Sequence, residues 1–163
     1  MDVHTPKQRS FNMSKIRHKD TKPELLVRRW LWHRGHRYRL HCNHVPGKPD
    51  IVFLGLKKVI FIHGCFWHKH ECKYFKWPET NAEFWKRKIE GNVKRDQESY
   101  RALISADWDY LILWECAIRH FKQHDQQEEL ENVGHYIETF LADDNHQCMQ
   151  IDRTGLQIHL EFS

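Results

Sequence analysis

Residues 46–72 read PGKPDIVFLGLKKVIFIHGCFWHKHEC, and this segment carries the clearest fold signal of the chain. After a Pro–Gly turn, two short apolar runs follow, Ile51 to Leu54 and Lys58 to His63, with Gly55-Leu-Lys57 between them. Short apolar runs on both sides of a Gly-containing turn are typical of a β-hairpin. The sequence therefore predicts two paired strands, with Asp50 opening the first. A loop rich in Cys, His and aromatic residues follows, from Gly64 to Pro78.

The segments on both sides of this hairpin predict an alternation of helices and strands. Thr21-Lys-Pro-Glu24 combines a capping box with Pro in the first turn, which indicates a helix start, and this helix should end near Gly35. Thr80-Asn-Ala-Glu83 is a second capping box and predicts a helix to about Ser105. The remaining expected elements are a short strand at Tyr38–His41, a buried strand at Asp109–Glu115, a helix at Gln126–Leu141 and an edge strand at Gly155–Phe162. This order indicates an α/β fold with a mixed central sheet.

Composition and charge narrow the function classes. The chain has 163 residues, 40% of them apolar, and a net charge of +4. These values predict a globular protein and permit a polyanionic partner. No apolar run approaches the roughly 20 residues of a membrane helix, and no apolar stretch follows the basic N-terminus, so we expect a cytoplasmic protein. We divide the chain into a basic arm, residues 1–20, and one domain, residues 21–163.

Five cysteines without a secretion signal favour metal binding over disulfides. Cys65, His70 and Cys72 follow one another as C-x4-H-x-C, a soft donor set that suits Zn²⁺ in a closed structural site. Cys116, just after the strand at Asp109–Glu115, is the best candidate for the fourth ligand, and Cys42 and Cys148 are less well placed. The alternative is a group of buried thiols and unrelated histidines.

A second pattern points to phosphodiester chemistry. Asp50 and the main-chain carbonyl of Ile62 should lie side by side across the hairpin, and two hard oxygens of this kind suit Mg²⁺. Phe61 and His63 stand where the PD-(D/E)xK pattern of nucleases has a second carboxylate and a lysine. A histidine can replace such groups as a base or a phosphate contact. A Pro–Asp pair that only forms a turn is the competing interpretation.

With PGKPD upstream and TNAEFWKRKIEGNVKRD downstream, HGCFWHKHEC resembles the very short patch repair (Vsr) endonucleases. These bacterial enzymes nick DNA at T:G mismatches that arise by deamination of 5-methylcytosine. The likeness extends from about Asn12 to Cys116. It implies a restriction-endonuclease-like fold with a mixed central sheet flanked by helices and a structural zinc site. It also implies a monomer acting on nucleoid DNA, with mismatch-repair proteins as further partners.

The resemblance also implies a role for individual residues. Asp50 would bind Mg²⁺ together with the Ile62 carbonyl, and Glu24 would reach a water on that ion. His68 would be the general base, oriented by Asp96, and His63 would contact the scissile phosphate. Zinc would be bound by Cys65, His70, Cys72 and Cys116. The rings that wedge into the DNA would be Phe66, Trp67 and Trp85, with Met13 and Ile16 of the arm pressing on the opposite groove.

The chain departs from the family pattern at three positions. Ile62 stands where the family has threonine, and Lys69 and Glu71 replace histidines of the loop. Two other functions stay open on the sequence: a sequence-specific restriction-type nuclease of the same fold, and a zinc-stabilised nucleic-acid-binding module without catalysis.

Overall fold

A computed structural model of the protein describes residues 7–8, 19–119, 126–145 and 148–159. A six-stranded sheet forms the centre, and its strands follow one another in chain order. The strands β3, β4 and β5 run parallel, and the other three pairings are antiparallel. Strand bounds are β1 Arg39–Leu40, β2 Ile51–Phe53, β3 Lys58–His63, β4 Asp109–Trp114, β5 Cys148–Asp152 and β6 Gly155–His159. The α/β fold with a mixed sheet is confirmed.

Four α-helices and one 3-10 turn lie around this sheet over residues 19–119 and 126–145. The helices are α1 Lys22–His33, α2 Ala82–Ser105, α3 Glu115–Arg119 and α4 Gln126–Ala142, and the 3-10 turn is Leu54–Leu56. Helix α2 connects β3 to β4, and α3 and α4 connect β4 to β5. None of the described helices combines the length and apolar character needed to cross a membrane.

Alternation along the strands divides the core between the two faces of the sheet. In β4, Leu111 and Leu113 pack with α1 and α4, whereas Tyr110 and Ile112 pack on the face that α2 covers. A period of two sends successive side chains to opposite faces. Since both faces are covered, Tyr110–Trp114 is apolar throughout, and the buried strand predicted at Asp109–Glu115 is present as Asp109–Trp114.

The predicted hairpin is confirmed. Strands β2 and β3 pair antiparallel with Ile51 opposite Ile60, and Lys57 takes the left-handed conformation, φ 52°, where the turn ends. Lys58, the first residue of β3, is buried, and its ammonium group donates hydrogen bonds to the carbonyls of Phe140 and Leu141 at 2.8 and 3.2 Å. These carbonyls lack helical partners at the C-terminus of α4, so the buried charge is compensated.

The N-terminus of α1 is confirmed and that of α2 is not. Thr21 caps α1, and its hydroxyl accepts from the Glu24 N–H at 3.5 Å. The Thr80–Glu83 capping box is wrong, because α2 begins at Ala82 with Asn81 as its cap. Asn81 is in the left-handed region, φ 54°, and its side chain makes no capping hydrogen bond.

Two further differences lie in the second half of the chain. Strand β4 ends at Trp114, and Glu115 begins a short helix, so Cys116 lies in a helical turn rather than in a loop. Strand β5 was not predicted at all. The predicted edge strand is present as β6 over Gly155–His159, and its predicted continuation to Phe162 lies outside the described residues.

Candidate active site and metal centre

A cleft of about 510 Å³ opens where β3 ends, between α1 and α2. The structure brings all five predicted catalytic side chains to its walls. They come from four separate parts of the chain: Glu24 from α1, Asp50 from the hairpin, His63 and His68 from the end of β3 and the loop after it, and Asp96 from α2.

Asp50 contacts the main chain of β3 directly. Its Oδ2 accepts a hydrogen bond from the Ile62 N–H at 2.7 Å. In an extended strand the N–H and C=O of one residue point to the same side, so the Ile62 carbonyl also faces the Asp50 side of β3. The turn before Asp50 is packed tightly against α2. Gly47 has φ +76°, and a Cβ there would lie 2.7 Å from the Cβ of Ser99.

His68 and Asp96 form a hydrogen-bonded pair in which Nδ1 of His68 lies 2.5 Å from Oδ2 of Asp96. The His68 ring also stacks on His63, with centroids 3.7 Å apart and planes at 12°. The Asp96 carboxylate accepts a hydrogen bond from the Nδ1–H of His68, so the Nε2 lone pair of His68 is available as a base. Asn92 of α2 holds the same loop, because its amide donates to the Trp67 carbonyl at 2.9 Å. Asn92 was missed from the sequence.

His63 is buried, with 5% of its surface exposed. Burial, assisted by the neighbouring His68, holds the pKa of His63 well below its ordinary value of 6.5. The Tyr100 hydroxyl lies 3.3 Å from Nδ1 of this ring. A neutral His63 can donate a hydrogen bond to an oxygen atom in the cleft but brings no positive charge there.

The surroundings of Asp50 make its carboxyl group costly to ionise. Burial raises the pKa of Asp50 from 3.8 to about 6, against the lowering effect of the Ile62 hydrogen bond. The nearby Glu24 raises the pKa further, and Arg28 and His68 lower it. A carboxylate that is costly to ionise next to an open cleft favours a bound cation, which would remove that cost.

Glu24 is buried and is held by a network that the sequence analysis missed. Its Oε2 accepts from the Asp20 N–H at 3.0 Å and from Arg28 Nη2 at 2.9 Å, and its Oε1 accepts from the Thr21 hydroxyl at 2.9 Å. Arg28 is itself buried. Its Nη1 donates to Oδ1 of Asp20 at 2.5 Å, and its Nη2 lies 3.3 Å from Nε2 of His41. The i,i+4 spacing of Glu24 and Arg28 was the available sequence signal.

The four predicted zinc ligands come together beside this cleft. The donor atoms of Cys65, His70, Cys72 and Cys116 all lie within 4.8 Å of one another. Ligands about 2.3 Å from a tetrahedral zinc lie about 3.8 Å apart, and three thiols with one imidazole are a donor set for this ion. The residues present therefore fit zinc. Cys42 and Cys148 lie outside the cluster.

The thiols of Cys65 and Cys116 interact, and their pKa values shift in opposite directions. The hydrogen bond from Cys65, with further help from His70 and the main chain of Arg153, lowers the pKa of Cys116 well below its usual range. The same interaction raises the pKa of Cys65. Thiolates are the metal-binding form of cysteine, so this arrangement favours a cation among the four side chains.

The predicted wedge residues form one aromatic cluster. Phe66 contacts Trp67 and Trp85 with centroids 5.2 and 5.5 Å apart, and Lys88 lies over the Trp67 ring at 5.2 Å. Rings that wedge into DNA would be exposed in the free protein, but each of these three is half-buried because they cover one another. Met13 and Ile16 lie outside the described residues.

Comparison with known proteins decides the family. The Type II nicking enzyme V.XorIIP of Xanthomonas oryzae pv. oryzae (strain KACC10331 / KXO85) is 41% identical over 117 residues, 72% of this chain and 86% of that protein. V.NmeAIP, a Type II nicking enzyme of Neisseria meningitidis serogroup A / serotype 4A (strain DSM 15465 / Z2491), is 43% identical over 72% of this chain and 84% of its own length. The DNA mismatch endonuclease Vsr of Escherichia coli (strain K12) is 44% identical over 118 residues, 72% of this chain and 76% of that protein. This chain belongs to the Vsr family.

The family model, described as DNA mismatch endonuclease Vsr, matches residues 1–74. The matched range holds Glu24, Asp50 and the loop with His68. Membership in the Vsr family makes the chain a DNA endonuclease, a hydrolase of phosphodiester bonds. The cleft and the Cys/His cluster are thus features of a Vsr-family nuclease.

Proposed function

We propose that the protein is a Mg²⁺-dependent endonuclease that nicks one strand of duplex DNA next to the T of a T:G mismatch produced by deamination of 5-methylcytosine. One observation carries the proposal: the His68–Asp96 pair and the Asp50–Ile62 pair lie on one cleft in a chain of the Vsr family. A base and a cation-binding carboxylate on one cleft are the parts that phosphodiester hydrolysis needs.

In this proposal His68 activates the attacking water. Its Nε2 takes the proton, and the Asp96 carboxylate at 2.5 Å from Nδ1 stabilises the imidazolium that forms. Stacking on His63 fixes the plane of the His68 ring, and the hydrogen bond from the Asn92 amide to the Trp67 carbonyl fixes the position of the loop that carries it. His63, held neutral by burial, donates a hydrogen bond to a non-bridging phosphate oxygen.

Asp50 and the Ile62 carbonyl are the proposed Mg²⁺ ligands. When bound, Mg²⁺ supplies positive charge that offsets the negative charge developing on the phosphate. Such an ion keeps several waters and needs only one or two protein ligands, so two adjoining oxygens suffice. Glu24, held by Arg28, is available on the cleft wall to orient a water molecule.

The aromatic cluster is the proposed mismatch reader. Inserting Phe66, Trp67 and Trp85 between base pairs costs unstacking energy of a few kcal/mol, which is smaller at a mispaired step. Because the three rings cover one another in the free protein, insertion exchanges ring contacts for base contacts. We extend this role to Met13 and Ile16 of the arm.

Cys65, His70, Cys72 and Cys116 are the proposed structural zinc ligands. A closed four-ligand site leaves no open position for substrate, so zinc would act on the fold. His68 lies between Cys65 and His70, and a clamped loop would hold this base in place. The proposal also includes a monomer that acts on nucleoid DNA and meets mismatch-repair proteins there.

A strand-resolved nicking assay tests the proposal. Two duplexes that differ only in T:G or T:A at one position are labelled on both strands and incubated with Mg²⁺ or with EDTA. We expect one nick, on the T-containing strand of the T:G duplex, with Mg²⁺ only. Equal cutting of both duplexes on both strands would indicate the restriction-type alternative. DNA binding without any cleavage would indicate the zinc-stabilised binding module.

A further inference from the structure

The turn between β5 and β6 lies directly against the Cys/His cluster. His70 presents its two ring nitrogens to different partners: Nδ1 lies 3.5 Å from Cys116 Sγ, and Nε2 lies 3.4 Å from Oδ2 of Asp152. Both side chains are largely buried, with 11% of His70 and 12% of Asp152 exposed. Asp152 was not singled out from the sequence.

Asp152 is fixed independently of His70. Its Oδ1 accepts hydrogen bonds from the Thr154 N–H at 2.7 Å and from the Thr154 hydroxyl at 2.5 Å. This leaves Oδ2 for His70. Oδ1 of Asp152 therefore stabilises the turn into β6, and Oδ2 faces the His70 imidazole.

The rest of the His70 ring is held by the same part of the sheet. Trp114, the last residue of β4, stacks on it with centroids 4.2 Å apart and planes at 12°. The Trp114 indole donates in turn to the Gln150 amide of β5 at 3.1 Å. The C-terminal hairpin thus contacts His70 directly through Asp152 and supports the Trp114 ring that stacks on it.

A neutral imidazole that binds a metal through one nitrogen donates the hydrogen on the other. A carboxylate that accepts this hydrogen fixes the orientation of the ring and makes it a better ligand. We propose that Asp152 is a positioning residue of the metal centre, and that the β5–β6 turn holds Asp152 against the His70 ligand. The inference rests on the zinc site of the proposed function and is independent of the catalytic roles in the cleft.

The competing role for Asp152 is to shape the turn alone, and Asp152→Asn separates the two. Asparagine keeps an oxygen for the Thr154 donors, so the turn is preserved. It places an NH₂ group opposite His70 Nε2, where a donor faces a donor and no negative charge remains. A turn-shaping residue would tolerate this change, whereas a positioning residue would not.

The test is a spectral titration of the metal-free full chain with Co²⁺, whose thiolate-dependent absorption reports site occupancy without any activity measurement. The proteins are the wild type, Asp152→Asn, Asp152→Ala and the matched control Asp144→Asn, which changes an exposed carboxylate nearby. We expect both Asp152 variants to bind Co²⁺ about 10- to 100-fold more weakly and the control to match the wild type. Circular dichroism of the Co²⁺-loaded proteins shows whether the fold is retained.

Two results would be negative in different ways. If the wild type binds Co²⁺ and folded Asp152→Asn binds it within twofold, the positioning role is wrong and the zinc site stands. If the wild type gives no thiolate-dependent absorption, the zinc part of the proposed function fails and this inference fails with it. In both cases the catalytic roles of Asp50 and His68 are tested separately, by the strand-resolved nicking assay.

Discussion

Replacing Asp50 by Asn should stabilise the metal-free protein, although Asp50 is a proposed Mg²⁺ ligand. Burial raises the pKa of this carboxyl from 3.8 to about 6. At about 1.4 kcal/mol per pKa unit, a shift of roughly two units makes the ionised side chain cost up to about 3 kcal/mol at neutral pH. Asn carries no charge and can still accept from the Ile62 N–H, so it removes this cost.

The pH dependence of the effect follows from the same two pKa values. Below about pH 4 the carboxyl is protonated in both the folded and the unfolded chain, and the Asn variant gains nothing. Between about pH 4 and pH 6 the unfolded chain ionises first, so the stability of the wild type falls relative to the variant. Above about pH 6 the difference is constant.

Thermal unfolding in EDTA, followed by circular dichroism across this pH range, measures the effect. Each kcal/mol moves the melting temperature of a chain of this size by about 2–4 °C, so the variant should melt up to about 10 °C higher at neutral pH. The matched control is Asp107→Asn, an exposed residue with φ 58°, which Asn tolerates. A neutral-pH melting temperature at or below that of the wild type, or a gain that is unchanged at pH 3, would show that the ionised Asp50 carboxylate does not destabilise the fold. Adding Mg²⁺ should stabilise the wild type and not the variant.

Three further predictions concern the base, the cluster and the turn. His68→Ala should slow nicking by about 10²- to 10⁴-fold while zinc content, measured by atomic absorption, stays at the wild-type value; loss of zinc would make His68 a ligand instead. Cys72→Ala should lower both bound zinc and the melting temperature, since binding energy of a structural site is folding energy; an unchanged melting temperature in the zinc-loaded sample would contradict this. Gly47→Ala should destabilise by about 1–3 kcal/mol in urea unfolding because of its positive φ and the Ser99 contact, whereas Gly55→Ala, with nothing within 4 Å, should not.

The hairpin could be predicted because its pattern is local. Two apolar runs joined by a short turn fix the register, which continued by one residue places Asp50 opposite Phe61 and within reach of the Ile62 N–H. The apolar run of β4 was equally informative, since a strand buried on both faces is apolar at every position. Within the site, the Cys65–Cys72 spacing pointed to a cluster that the structure does assemble.

Contacts between distant segments could not be predicted from local patterns. His68 and Asp96 are 28 residues apart, and only the family resemblance paired them. Strand β5 was missed because its buried positions alternate with polar ones, among them Gln150 and Asp152, so no apolar run marks it. The polar side chains are explained by their partners Trp114 and His70, which lie on other elements.

The capping box at Thr80 shows how a local rule can fail. The residue types fit a capping box, but Asn81 is in the left-handed conformation. The N-cap is therefore Asn81, one residue later than the motif requires. Trp85, in the first turn of α2, packs against Phe66 and Trp67 of the preceding loop. Tertiary packing therefore overrides the local signal at this helix end.

The most direct measurement compares the wild type with Asp50→Ala and with the control Asp107→Asn on one T:G duplex. DNA affinity without Mg²⁺ and the single-turnover nicking rate with Mg²⁺ are determined on the same protein samples. We predict that all three proteins bind the duplex with similar affinity and that Asp50→Ala nicks at least about 100-fold more slowly than the other two. Nicking by Asp50→Ala at the wild-type rate would contradict the assignment of the cleft as the place where the phosphodiester bond is cut.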